Sequence, residues 1–184
     1  MKILSLSILR MSLDKTKYAL NGLEIRLLNP DAKVLKYTDL YDYEDIGELF
    51  KDTDKIIILY LMMSDSVGHW TTLFLNQDGI NFFDSYGVPP DYEFQLLSNK
   101  KRTELDQKQD YLKNMLKKYK VIFNNITYQE QGTMTCGCFV SHRLNFSHLN
   151  DPQYFSIFYD SGEEPDKYVS NWCFNKLDSL ENKI

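Results

Sequence analysis

The sequence predicts an α+β fold, a small and mostly antiparallel central sheet packed against helices, and three observations predict it. Lys55 to Met62 is dense in β-branched and aromatic residues, as a strand buried on both faces is. Trp70–Leu75 and Ile80–Asp84 are strand-like runs on either side of Asn76-Gln-Asp-Gly79, a turn sequence, and together they read as an antiparallel hairpin. Cys136, Phe139, Val140 and Leu144 fall at i, i+3, i+4 and i+8, one face of a helix that begins after the turn-forming Gly132–Thr135. Strands followed by helices, rather than alternating with them, give the α+β class.

The remaining elements follow in chain order. Asp14 to Leu20 reads as a short helix. Asp39 can cap Leu40–Phe50, where Leu40, Ile46, Leu49 and Phe50 make a partial apolar face. Val88-Pro-Pro-Asp91 is a loop. Gln107–Tyr119 carries Tyr111, Leu112, Met115, Leu116 and Tyr119 at helical spacing, and Lys120–Phe123 is a further strand that Ile126–Tyr128 can continue. Pro165 to Leu180 is a last helix with its proline near the start.

Composition bounds the function classes. The 184 residues are of single-domain size. No repeat or linker divides them, and we read an N-terminal helical and loop segment (1–53), a core (54–149) and a C-terminal helical segment (150–184). Hydrophobic residues are 43% of the chain and the net charge is −5, which excludes general disorder and a surface built throughout to bind polyanions. The longest apolar run, Ile56–Met63, is far below the ~20 residues needed to span a bilayer, so no membrane association is expected. Met1–Leu9 is too short for a signal peptide, and three cysteines, two of them only two positions apart, are poor disulfide material. A reducing compartment and no secretion are expected.

One segment departs from the average. Residues 100–120 hold eight basic residues against three acidic ones, a local +5 that leaves −10 for the rest. The favoured reading is a solvated helix face with its loop; the functional alternative is weak tethering to DNA through phosphate contacts.

Chemistry concentrates on few residues. Cys136 opens a helix, where the macrodipole favours thiolate, and Gly137 after it permits close approach of a substrate backbone. Of the three histidines, His142 lies about 240° round the helix from Cys136 and His148 about 18 Å along it, which leaves His69 as the candidate base. Asp84 ends the strand that returns to the level of His69 and can orient its ring. Gln129 and Gln131, with the backbone N–H of Cys136, are candidate oxyanion donors. Cys138 and Cys173 read as core. No metal site is expected, since Cys136-x-Cys138 lacks zinc-ligand spacing and no second pair follows; phosphate-loop and dinucleotide motifs are also absent.

Gly68-His-Trp70, Phe83-Asp-Ser-Tyr-Gly87 and Gln129-Glu-Gln-Gly-Thr-Met-Thr-Cys-Gly137, in that order, resemble the adenain-like cysteine proteases, the clan that also removes ubiquitin-like modifiers. The resemblance covers about half the chain, and the compact size and Asp-Ser-Tyr-Gly segment look most like the small capsid-maturation proteases of virophages and polinton-type viruses. It implies a papain-like or adenain-like core and a triad of Cys136 as nucleophile, His69 as general base and Asp84 as its orienting acid. It favours Gln129 over Gln131 for the oxyanion site, because the adenovirus enzyme places its glutamine seven residues before the cysteine. Many relatives place it six before, where this chain has Glu130. Trp70 is the aromatic that follows the histidine in this clan, expected in the substrate cleft with Gly137.

By the same resemblance the expected activity is a thiol endopeptidase without metal or organic cofactor, acting on capsid or scaffold precursors in the virion and the host cytoplasm. Its rivals are a deconjugating protease for ubiquitin-like modifiers, a clan-related acetyltransferase using the same cysteine, and a binding module with a dead site. A chymotrypsin-like cysteine protease shares the His–Asp–Cys order but needs strands after Cys136, where the spacing gives a helix.

Overall fold

The computed structural model describes residues 14–64, 66–108 and 110–181; the Met1–Leu9 stretch lies outside them. Five strands form one sheet in sequence order: β1 (Lys33–Lys36), β2 (Lys55–Leu61), β3 (Gly68–Asn76), β4 (Gly79–Phe83) and β5 (Val121–Phe123). The three central strands are an antiparallel meander, and the edge strands β1 and β5 join it in parallel. The hairpin predicted around Asn76–Gly79 is present, with Asn76 paired to Gly79 and the Asn76 side chain accepting from the Asp78 N–H at 2.9 Å. β1 escaped the sequence reading because Lys33-Val-Leu-Lys36 is short and flanked by charge.

β2 explains its own composition. Ile57, Leu59 and Leu61 enter one core cluster, while Ile56, Ile58 and Tyr60 enter a second cluster on the opposite face. Successive side chains alternate across a strand, so only a continuous apolar run fits a strand covered on both sides. The first cluster joins the sheet to α1 (Gly22–Leu28), α5 (Cys136–Asn145), α6 (Asp151–Ser161) and α7 (Pro165–Glu181). The second joins it to the 3-10 turns Tyr37–Asp42 and Tyr92–Leu96, to α2 (Ile46–Leu49) and to α4 (Tyr111–Leu116). The small helix α3 (Asn99–Glu104) stands between those last two.

Several expected helices are shorter than predicted, each for a local reason. Asp14 caps only a 3-10 turn, Lys15–Lys17. The Leu40–Phe50 helix is two pieces: Tyr43 and Asp45 are extended, and Asp45 caps a fresh start at Ile46. Asp39 instead lies inside the first piece and accepts from the Lys36 N–H at 2.8 Å. Gln107–Tyr119 is helical only over α4. Gln107 is held at the end of β2, its amide accepting from the Leu61 N–H and donating to the Leu61 carbonyl, and Asp110 is left-handed at φ 58°. The basic side chains of this region are mostly exposed, with Lys101 and Lys113 beside Glu104 and Asp110 at 3.5 and 3.7 Å. Ile126–Tyr128 is not a strand.

Helix α5 begins at Cys136 as predicted but ends at Asn145, so the exposed His148 is off the helix. The buried Arg143 guanidinium closes that end, donating to the carbonyls of Phe146 and Leu149 at 2.9 and 3.0 Å and facing Asp151 at 3.3 Å. α6, expected only as part of the C-terminal helical segment and without bounds of its own, starts from Asn150 with a reciprocal capping box to Gln153 and ends at Gly162. No helix among the described residues is long and apolar enough to cross a membrane.

Candidate active site

Strand parity sets the site. Trp70, Phe74 and Phe83 face α5 in the first cluster, while Leu73 and Phe82 face the second. His69 and Asp84 share the parity of Leu73 and Phe82, so both leave the sheet on the second face, under the Tyr92–Leu96 turn. The β3–β4 ladder ends at Thr72 and Phe83, which brings Asp84, the next residue, to the side of His69. His69 Nε2–H donates to Asp84 Oδ2 at 2.7 Å, the short distance of a charge-assisted bond. Asp84 is fully buried. Its other oxygen accepts from the Tyr86 N–H at 2.7 Å, and its backbone is gripped by the Asn124 amide on both N–H and carbonyl. Tyr86 stacks on the imidazole with centroids 5.2 Å apart. Gly68 is required next to His69, because a Cβ there would lie 1.7 Å from the Tyr60 carbonyl oxygen.

Cys136 meets the other edge of His69. With Nε2 committed to Asp84, Nδ1 is the nitrogen left for the thiol. Burial alone would raise the thiol, but hydrogen bonding and charge from His69, with the N–H groups of Trp70 and Gly137, bring it below its ordinary value. Burial alone would likewise lower His69, yet the charge and hydrogen bond of Asp84, then Cys136, hold the imidazole well above its ordinary range. Both shifts favour the thiolate–imidazolium pair.

The turn before Cys136 is fixed from outside. Asp166, in the first turn of α7, accepts from the Glu130 N–H at 2.8 Å, from the Thr133 hydroxyl at 2.9 Å and from the Thr135 hydroxyl. Thr135 therefore makes no side-chain cap to α5, and of the first-turn N–H groups that of Gly137 is turned to the sulfur.

Gln129 is buried and held at both ends of its amide: the hydroxyl of the fully buried Ser85 donates to Oε1 at 2.6 Å. The amide nitrogen donates to the Thr133 carbonyl at 3.1 Å and keeps a second hydrogen. Gln131 is exposed. His69, Gln129, Gln131, Met134 and Cys136 line a cleft of about 790 Å³ whose walls are chiefly apolar.

Trp70 and Gly137 do not line it. Trp70 is in the core with its indole N–H donated to the Leu20 carbonyl at 3.2 Å. A Cβ at Gly137 would meet Leu20 and Ile25 at 3.0 and 3.1 Å, so that glycine lets α5 sit close to its neighbours. Both residues reach Cys136 through backbone N–H groups. Cys138 and Cys173 are fully buried, and His142 lies deep among aromatic rings.

The sequence reading missed Ser85, Asn124, Asp166 and Glu93. Ser85 lay inside a quoted motif; the others carry no local signal, since each acts only through tertiary placement. Glu93 is 3% exposed and its Oε1 is 3.9 Å from His69 Nε2. His69, Asp84 and Glu93 offer donor atoms within 4.8 Å of one another. At 2.7 Å, however, Nε2 and Oδ2 are too close to share a tetrahedral ion with bonds of about 2.0–2.1 Å, which would hold them roughly 3.3 Å apart. The arrangement is that of a shared proton.

Fold and site together define an α+β protein with a thiol, an imidazole and a carboxylate in line at a helix N-terminus. No family model matches the chain. It is 29% identical over 163 residues to "Uncharacterized protein V9" of Sputnik virophage, covering 85% of this chain and 86% of that protein. Among solved structures it is similar to the central domain of the uncharacterized Lpg1148 protein from Legionella pneumophila (TM-score 0.47, 16% identity, 89% of this chain and 99% of that one). It is also similar to the C-terminal Ulp1 protease domain in complex with Smt3, the yeast ortholog of SUMO (TM-score 0.40, 14% identity, 88% and 78%).

Proposed function

We propose that the protein is a cysteine endopeptidase whose nucleophile is Cys136, with His69 as acid and base and Asp84 orienting it. The observation that carries this reading is the line from Asp84 Oδ2 through His69 to the Cys136 thiol, with the first link at 2.7 Å and both the thiol and the imidazole shifted toward their charged forms.

The cycle follows from those partners. The Cys136 thiolate attacks the scissile carbonyl carbon, the C–S bond forms, and the carbonyl oxygen takes the negative charge. The remaining amide hydrogen of Gln129 and the backbone N–H of Cys136 are the donors offered to that oxygen. His69 gives its Nδ1 proton to the leaving nitrogen as the C–N bond breaks, leaving a thioester and a neutral imidazole. It then takes a proton from water, the hydroxide displaces sulfur, and the thiolate–imidazolium pair returns as the acid product leaves. Asp84 keeps the ring in the tautomer that presents Nδ1 to sulfur and stays ionised throughout.

For substrate we propose capsid or scaffold precursors, on the sequence resemblance to small maturation proteases and the likeness to a virophage protein. The test is an electrophilic peptide probe with a small residue before the cut, beside capsid protein and a modifier conjugate, in reducing buffer. Labelling and capsid cleavage are expected for the wild type, with cleavage reduced about 10⁴-fold or more in Cys136→Ala and His69→Ala. Cleavage of the modifier conjugate alone would replace the substrate, and an unlabelled Cys136 would end the protease reading.

A further inference from the structure

Glu93 stands in the wall of the cleft with no task in that cycle. It belongs to the Tyr92–Leu96 turn that roofs the His69 face of the sheet, and no side chain donates a hydrogen bond to either of its carboxyl oxygens, while the Asp84 carboxylate lies close enough to share a proton with it. A buried carboxyl without donors is costly to ionise, and acids perturbed in this way concentrate at functional clefts. Here that neighbour is 3.9 Å away, the same Nε2 that Asp84 holds. We propose that Glu93 is a positioning residue for His69, a second acid behind the imidazole that holds the ring charged when the medium turns alkaline. The proposal deepens the thiol-protease reading and rests on its Cys136–His69 pair.

Two acids share one imidazole, and their surroundings decide which is charged. Asp84 accepts from His69 and from the Tyr86 N–H, so its charge is met by donors. Glu93 has no side-chain donor facing it, and it keeps its proton, which it can share with Asp84. Burial and then the charge of Asp84 push the Glu93 carboxyl up to about 8, with His69 pulling the other way. The other groups around it are Tyr60 from β2, whose hydroxyl is tied to Asp91, Tyr86 beside the ring, and Cys136 from α5. Among these the imidazolium of His69 is the cation that a Glu93 carboxylate would face. At neutral pH the neutral Glu93 leaves the Cys136–His69–Asp84 charges as they are. As pH rises Glu93 ionises, and its new charge opposes the loss of the His69 proton. The imidazolium survives further into alkali than Asp84 alone would allow.

The test reads Cys136 directly and needs no substrate. Iodoacetamide alkylation of Cys136, followed on its peptide by mass spectrometry, rises once as thiolate forms and again as the paired imidazolium loses its proton. In Glu93→Gln the lower step is expected to stay in place and the upper step to fall by about one to three pH units, the range for a unit charge near 4 Å between bulk water and a partly buried site. An upper step that does not move overturns the proposal. Should Glu93→Gln not fold, the wild type decides: with ¹³C-carboxyl glutamate, one resonance titrating near pH 8 is expected. Every glutamate titrating in the ordinary range overturns it. Hydrolysis is scored separately, so alkylation steps that shift as expected in a protein that cleaves nothing would sink the endopeptidase reading and leave this one standing.

Discussion

Helix α5 runs from one thiol–histidine environment into another, and the two behave in opposite ways. At its N-terminus Cys136 is lowered and His69 raised. In the core beside the same helix, His142 is pushed down to about 3, chiefly by burial and then by Arg143, and burial drives Cys173 well above its ordinary value. Burial penalises charge in both places, so burial does not make the difference. In the cleft a carboxylate 2.7 Å from the imidazole and N–H groups aimed at sulfur outweigh it. In the core the ring of His142 is surrounded by Phe146, Tyr154, Phe158, Tyr168 and Trp172, and its Nε2 has no partner. Reactivity here depends on the partners supplied to a residue more than on its type.

The sharpest way to break that comparison is to make the cleft resemble the core. Asp84→Asn keeps the shape and removes the charge, so His69 should become harder to protonate and Cys136 harder to ionise. We expect peptide hydrolysis to fall by about 10²–10⁴-fold, with the upper step of the alkylation profile moving to lower pH. In the wild type, iodoacetamide should modify Cys136 and spare Cys138 and Cys173 while the protein stays folded. An Asp84→Asn variant with wild-type activity would show that His69 and the helix N-terminus activate the thiol without the Asp84 charge.

The core side predicts an effect on stability instead. The folded-state value for His142, about 3, lies below the ordinary 6.5, so below pH 6.5 the unfolded chain binds a proton that the folded one refuses. Its stability contribution is whole above 6.5 and is lost progressively as pH falls toward 3, reaching on the order of 5 kcal/mol. Urea unfolding of the wild type and His142→Gln across that range should give curves that converge as pH falls. Parallel curves would mean that His142 takes up its proton without disturbing the fold.

The same contrast explains what was legible in the sequence. The central hairpin and the start of α5 rest on local patterns, alternation around Asn76–Gly79 and an apolar face from Cys136 to Leu144, and the structure has both. That Asp84 reaches His69 could be inferred from hairpin geometry, because strand ends return to one level, whereas the place of Cys136 beside them rested on elimination among the histidines and on the family resemblance. Trp70 was misplaced by the same geometry left unused: adjacent strand residues point to opposite faces, so the neighbour of His69 must face α5. Glu93 and Asp166 were invisible for another reason. An acid in a polar stretch looks solvated until a turn or a helix start folds it against something, and neither Asp91-Tyr-Glu-Phe94 nor Pro165-Asp166 names that something.

The smallest expected effect lies at the oxyanion end of the cleft and concerns preorganisation rather than charge. Ser85 ties down the segment that carries Gln129. Its carbonyl accepts from the Tyr128 and Gln129 N–H groups at 2.8 and 3.0 Å, and its hydroxyl donates to Gln129 Oε1 at 2.6 Å. Ser85→Ala keeps the backbone bonds and removes only the last. The amide then keeps only its bond to the Thr133 carbonyl, and its remaining hydrogen is held less firmly toward the developing anion. One neutral hydrogen bond is worth about 0.5–1.5 kcal/mol net, so kcat should fall by roughly 3- to 10-fold. The alkylation profile of Cys136 should stay unchanged, because iodoacetamide forms no oxyanion in that site. A shift in the alkylation profile would mean that Ser85 supports the thiolate pair as well. An unchanged kcat would mean that the amide of Gln129 is held well enough by Thr133, or that the first-turn N–H groups carry the oxyanion without it.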